Sequence, residues 1–348
     1  MAEPGDTTTV EPSGRPAVLF AMRSDELREQ LFPAPQRAAL SRVADVLSDT
    51  VLTEFDSPDA RALLGRADVL ITGWGCPRID AEVLDAAPSL RLVAHAAGTV
   101  KGHIDREVWH RGVAVTTAAE ANARPVAEYT LAAILLAGKQ AFARSRELAA
   151  GQGEYARPPL PLDAGNFGAT VGIIGASRVG RIVLDLLRPF SFELLLATPD
   201  LSPAEAEALG ARLVPLGQLM AESAVVSLHA PLLPSTVGMI GRAELAAMRD
   251  GAAFVNTARG AIVDTDALRD ETRSGRISAV LDVTDPEPLS TGDELYTFPN
   301  VFLTPHIAGA MGNELSMMGD AAVTEVARLA AGRPLRYPVS LLELDTMA

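Results

Sequence analysis

The chain has 348 residues, 48% of them apolar and 21% charged, a balance that argues for a packed core of about two domains and against a mostly disordered chain. Acidic residues outnumber basic ones 44 to 30, a net charge of −14, so nucleic acid and anionic membranes are not expected as partners. The single cysteine, Cys76, excludes an intramolecular disulfide framework and a cysteine-rich zinc site, and it fits a reducing, cytoplasmic setting.

Residues 1–15 are acidic and rich in Pro, Gly and Thr, and are expected to form a disordered tail. The first apolar run, Ala17 to Met22, is too short for a signal-peptide core. Short apolar runs then alternate with helical spacing. AVLFAM (17–22), VLTEF (51–55), DVLITGW (68–74), LRLVAHAA (90–97) and VAVTT (113–117) read as strands. One long helix is predicted from Asn122 to Leu148, with Pro125 tolerated in its first turn. The Pro/Gly-rich stretch 151–168 then interrupts all periodicity.

A second series follows with more uniformly apolar strands: 169–175, 192–198, 211–215, 224–230, 252–258, 279–284 and 301–306. Runs without polar alternation suit parallel strands buried on both faces. A last long helix is predicted over 311–331. Strands alternating with helices imply α/β architecture, with two parallel-sheet domains of Rossmann-like or flavodoxin-like type. Periodicity does not decide whether the final helix returns to the first of them.

The sharpest motif is VGIIGASRVGRIVLDLL (171–187), a strand that runs through Gly175, Ser177, Arg178, Val179 and Gly180 into an amphipathic helix. Such a turn lets backbone approach a pyrophosphate, which the helix N-terminus then attracts. Here Ser177 replaces the second glycine of the dinucleotide fingerprint, and its hydroxyl is a candidate phosphate donor. Arg178 is a candidate pyrophosphate contact. The acidic residue expected at the end of the next strand is absent: Thr198 stands there, with Asp200 two residues on. NAD and NADP therefore both stay open as the cofactor.

Three more strand ends carry polar residues: FVNTARGAIVD, LDVTDPEPL and VFLTPHIAG deliver Arg259, Glu287 and His306. A 2-oxo acid needs a fork of donors for its carboxylate, a proton carrier and a carboxylate partner for that carrier. No cluster of metal ligands is apparent.

With these motifs in this order, the sequence resembles the D-isomer-specific 2-hydroxyacid dehydrogenase family over roughly residues 68–332. The resemblance implies a cofactor domain, 122–307, inserted between two parts of a substrate domain, 16–121 and 308–348. It also implies a homodimer, with the 122–148 helix in the interface. Arg259 would clamp the substrate carboxylate, His306 would protonate the carbonyl oxygen, and Glu287 would hold the imidazole and favour its charged form. Backbone N–H groups of Ala97, Gly98, Thr99 and Val100 would bind the carboxylate from the substrate domain. Asp282 would reach the nicotinamide carboxamide. His229, Pro231, Thr257 and Ala258 would complete the cofactor site. Substrate would enter a cleft whose closure excludes water.

Two departures from the family pattern bear on substrate. Trp74 stands where phosphoglycerate-reducing members carry a basic residue, and Lys101, one of only two lysines, follows the carboxylate loop, where it is a candidate for a second anionic group. The expected activity is reduction of a small 2-oxo acid or oxidation of its D-2-hydroxy acid. Formate or phosphite oxidation is the rival among enzymes, and Glu287 argues against the formate branch. An NAD-sensing co-repressor is the rival among binding proteins.

Overall fold

The computed structural model describes residues 14–151 and 164–346. The tail expected over 1–15 lies outside the described residues except for Gly14 and Arg15. Arg15 is hydrogen-bonded to Asp45 and to the carbonyls of Ser41, Arg42 and Ala44, so it belongs to the fold. Most of the 151–168 stretch is likewise outside. The chain divides into two compact units, one built up to Asn122 and again from Ala310, the other from Ala123–Gly309.

The first unit holds strands β1 (Ala17–Ala21), β2 (Asp45–Val46), β3 (Val69–Thr72), β4 (Leu92–His95) and β5 (Ala114–Thr117). They form one sheet in the order β2-β1-β3-β4-β5, parallel throughout. Alternate side chains enter two cores. Leu19, Leu70, Val93 and Val115 face one, and Val18, Phe20, Val69, Ile71 and Leu92 the other. The second core is closed by the helix Leu315–Ala330. A Cβ on Gly319 would lie 1.9 Å from the Leu31 carbonyl oxygen, so the last long helix packs directly on the helix Asp25–Leu31. The chain thus returns to its first unit after completing the second.

The second unit holds β6 (Thr170–Ile174), β7 (Glu193–Ala197), β8 (Arg212–Leu213), β9 (Val225–Leu228), β10 (Ala253–Asn256), β11 (Ser278–Leu281) and β12 (Val301–Leu303). Their order is β12-β11-β10-β9-β6-β7-β8, again all parallel. The helix after β6, Arg178–Leu187, buries Gly180, Val183, Leu184 and Leu187, the 3–4 spacing of one apolar stripe. Each large side chain in that stripe contributes about 1.5–3 kcal/mol by burial.

Three expectations are corrected. VLTEF is not a strand: Asp45–Val46 takes the edge beside β1, and only Leu52 bridges to Ala21. The predicted 122–148 helix is two helices, Ala119–Ala137 and Ala141–Ala150. The Asn166 amide bonds the Leu135 carbonyl, and a Cβ on Gly138 would fall 2.1 Å from Asn166 Oδ1, so this side chain occupies the helix end. Gln140 then turns the chain at φ 53°. Because the first helix starts at Ala119, Pro125 lies in its interior instead of its first turn, and one helical hydrogen bond is lost there.

Candidate active site

In an open parallel sheet the strands' carboxyl ends carry the ligand crevice where the chain reverses direction across the sheet. In the second unit that reversal falls between β6 and β9, whose following loops contain Gly175 and His229. Gly175 has φ +94°, and a Cβ on it would lie 2.6 Å from the Ala230 nitrogen. A Cβ on Gly180 would lie 2.3 Å from the Gly175 oxygen. The two glycines therefore let strand, loop and helix meet, which leaves backbone N–H groups at a helix N-terminus for a pyrophosphate. This cradle fits a dinucleotide. Ser177 is the helix N-cap, its Oγ accepting from Gly180 N–H at 3.3 Å, so its own hydrogen is available to a phosphate oxygen. Arg178 and Val179 form the first helical turn.

At the end of β7, Thr198 Oγ1 donates to Asp200 Oδ2 at 3.3 Å. The carboxylate nearest that strand end is therefore the one two residues further on. His229 is buried with Ser227 Oγ 2.8 Å from its Nε2, and burial pushes its pKa down to about 3, so it is neutral. Thr236 Oγ1 holds the carbonyl of Pro231 at 2.6 Å.

The three catalytic candidates share one end of the second sheet. Arg259 follows β10 in a loop held from within: Asn256 Oδ1 accepts from Ala258 N–H, and Asn256 Nδ2 donates to the Arg259 carbonyl, both at 3.0 Å. Burial lowers the pKa of the half-buried Arg259, which the negative charge of Glu287 opposes. Its guanidinium donates to the Ala258 carbonyl at 2.7 Å. Gly260 explains how two loops come so close, since a Cβ there would fall 2.0 Å from the Thr284 carbonyl. Glu287 Oε1 lies 2.6 Å from His306 Nδ1, with both side chains partly exposed.

His306 adopts φ +54°, a left-handed conformation costly for a residue with a Cβ. Asp282 pays that cost through three contacts around the histidine. Its carbonyl accepts from His306 N–H at 3.0 Å, and its carboxylate accepts from Ile307 N–H and Ala308 N–H, each at 2.8 Å. The same carboxylate accepts from Thr304 Oγ1 at 2.6 Å. Asp282, expected at the nicotinamide, is 2% exposed and serves first as the clamp of the His306 loop. Thr257, expected at the cofactor, has its hydroxyl 2.9 Å from Thr130 Oγ1. Asn256, Thr304 and Tyr129 were missed in the sequence. The first two lie inside quoted motifs, and Tyr129 lies in the helix Ala119–Ala137 with no motif around it.

In the first unit, the loop after β4 places Ala97, Gly98, Thr99 and Val100 together. Their backbone N–H groups donate to no acceptor among the described residues. Unused donors in a turn form an anion-binding nest. Beneath the loop His95 Nδ1 meets Thr72 Oγ1 at 2.8 Å, and the His95 and His103 rings stack 4.5 Å apart. Burial lowers these two histidines to about 3 and about 4, so both are neutral. Lys101 is exposed at the far end of the loop, its N–H on Thr99 Oγ1. Cys76 is buried and its thiol pushed up to about 12, far from a nucleophile's range. No group of potential metal ligands occurs among the described residues, and no helix there is long and apolar enough to cross a membrane.

Comparison with known proteins agrees with this geometry. Residues 131–308 match the family described as D-isomer specific 2-hydroxyacid dehydrogenase, NAD binding domain. The chain belongs to that family. It is 34% identical over 303 residues to the glyoxylate reductase of Aeropyrum pernix, covering 84% of this chain and 89% of that one. It is 35% identical over 302 residues to the D-3-phosphoglycerate dehydrogenase of Mycobacterium tuberculosis, covering 84% of this chain and 55% of that one. The chain therefore spans about half the length of the phosphoglycerate dehydrogenases it matches. Among solved structures, the TT0316 protein of Thermus thermophilus is similar at 33% identity and a TM-score of 0.70, covering 93% of this chain and 100% of that one. The second unit is thus a NAD-binding domain of this dehydrogenase family.

Proposed function

We propose that this protein interconverts a small 2-oxo acid and its D-2-hydroxy acid, with a nicotinamide dinucleotide as redox partner. The observation that carries the reading is the His306–Glu287 contact at 2.6 Å, beside the half-buried Arg259 at the carboxyl end of the second sheet. A bound cofactor would supply or accept the hydride. An ionised Glu287 has no hydrogen to give, so the hydrogen of this bond sits on His306 Nδ1. That leaves Nε2 to donate a proton to the substrate oxygen in reduction and to accept one in oxidation. Arg259 would clamp the carboxylate with its planar fork. In the first unit, the N–H groups of 97–100 would be donors to a substrate carboxylate, with Lys101 as a candidate for a second negative group.

NAD is favoured over NADP, because the Asp200 carboxylate at the end of β7 opposes a 2′-phosphate. A homodimer built on the helices 119–150 accounts for Leu136 and Leu148, which are exposed on them. The single, buried cysteine suits a cytoplasmic setting.

The test is steady oxidation of NADH or NADPH by the purified protein against a panel of 2-oxo acids. Turnover with at least one acid is expected. Tight cofactor binding with no turnover of any acid would replace this reading by a cofactor-sensing protein of the co-repressor kind.

A further inference from the structure

Two strands of the first sheet end on buried polar side chains. Thr72 closes β3 and His95 closes β4, and the two are register partners in the parallel ladder, so they lie side by side on one face. Thr72 is 0% exposed and His95 3%. Polar groups buried so completely are costly unless each finds a partner. Thr72 Oγ1 and His95 Nδ1 meet at 2.8 Å, and the His95 ring also hydrogen-bonds the backbone of Thr99, in the loop that follows β4. The His103 ring packs against the same imidazole.

The directions of these bonds follow from the chemistry of the ring. The Thr99 bond favours the charged imidazole, so the ring donates and the Thr99 carbonyl accepts. With Nδ1 on Thr72, the donor is Nε2. Burial keeps the ring neutral, and a neutral imidazole has one donor nitrogen and one acceptor. Nδ1 therefore accepts, and the Thr72 hydroxyl donates to it. Ala96 N–H holds the start of the loop on the Thr72 carbonyl at 2.8 Å, and Ile104 N–H holds its far end on the Val100 carbonyl at 3.2 Å. Between them, no backbone N–H among the described residues donates to the Thr99 carbonyl. In a trans peptide the C=O and N–H point in opposite directions. A Thr99 carbonyl drawn down to His95 thus turns the Val100 N–H away from the ring, and that N–H donates to no acceptor among the described residues.

We propose that His95, oriented by Thr72, is the positioning residue of the 97–100 loop: it holds the Thr99 carbonyl so that the Val100 N–H is presented to an anion. This inference rests on the dehydrogenase reading for the identity of that anion, the substrate carboxylate. It adds a relay of two hydrogens, from Thr72 to His95 and from His95 to Thr99. His95 acts through the loop and not on the reacting atoms.

The first measurement needs no substrate. Nitrogen NMR shifts of the histidine rings, with the His95 signals assigned by their loss in His95→Gln, report which nitrogen carries the hydrogen. A hydrogen on Nε2 is expected, and one on Nδ1 overturns the relay. Kinetics with a turned-over 2-oxo acid then read the loop. His95→Phe keeps a ring without a donor and should raise KM about ten-fold with kcat nearly unchanged, the scale of one misaligned contact. His95→Gln keeps a donor near the Nε2 position and should recover most of that loss. A residue that only fills space would give the opposite order. Thr72→Val should raise KM in the same direction, and Thr72→Ser should restore it, a comparison that stands even if His95→Phe does not fold. Glutamine no better than phenylalanine, or valine and serine alike at position 72, overturns the proposal. If no acid is reduced, the dehydrogenase reading fails by itself. Calorimetric binding of pyruvate to the native and Thr72→Val proteins then decides the loop: weaker binding in the variant supports its role, and binding that is absent or equal in both overturns it.

Discussion

The Tyr129 hydroxyl lies 2.7 Å from Thr304 Oγ1, and this single contact has a fixed direction. Thr304 spends its own hydrogen on the Asp282 carboxylate, which as an anion only accepts. Tyr129 must therefore donate, and a chain of two hydrogens runs from its helix to the carboxylate that clamps the His306 loop. Burial raises the Tyr129 pKa, and the charge of Asp282 adds to the effect, so the phenol keeps its proton. Thr304→Val should lower kcat about ten-fold with little change in cofactor affinity, and Thr304→Ser should restore most of it. If valine and serine behave alike, the hydroxyl has no part in holding the histidine.

His306→Gln removes the proposed proton carrier while keeping a polar side chain. Turnover is expected to fall by about 10² or more, with NADH affinity unaltered in a direct binding titration. Near-normal turnover would take His306 out of the mechanism.

The proposed cofactor preference turns on Asp200. Its carboxylate meets the Thr198 hydroxyl where the ribose of a bound dinucleotide is expected, so the native protein should favour NADH. Asp200→Asn should raise the NADPH-to-NADH ratio of kcat/KM about ten-fold, by removing a like charge. Measured KM values for both cofactors decide it, and an unchanged ratio would place specificity elsewhere.

The buried histidines make an acid-lability prediction. His95, His103 and His229 hold pKa values of about 3, 4 and 3, below the ordinary 6.5, because burial penalises the charged ring. The unfolded chain binds more protons than the native one below that ordinary value, so stability falls as the pH drops from about 6.5 toward 3. Urea midpoints at pH 7 and pH 5 should show the decline, and His229→Asn should make it shallower. An identical slope in the variant would assign the decline to other groups.

The apolar strand runs, the β6 fingerprint and the Arg259, Glu287 and His306 strand ends were legible in the sequence because each is a local pattern. What escaped were contacts between distant segments. Nothing near Gly138 announces that Asn166 will end the helix there, and nothing near Val46 shows that two residues will take the edge from 51–55. Thr257 and Asp282 are cofactor candidates by motif, and no motif announces that their side chains also bond Thr130 and the 304–308 loop. Tyr129 and Thr304 lie 175 positions apart, beyond the reach of any spacing rule.

Gly260 has a consequence for how such a protein can diversify. With no room for even a methyl group against Thr284, the loops bearing Arg259 and Glu287 cannot drift independently. The two loops behave as one rigid cassette, tolerant of neither insertion nor enlargement at their junction.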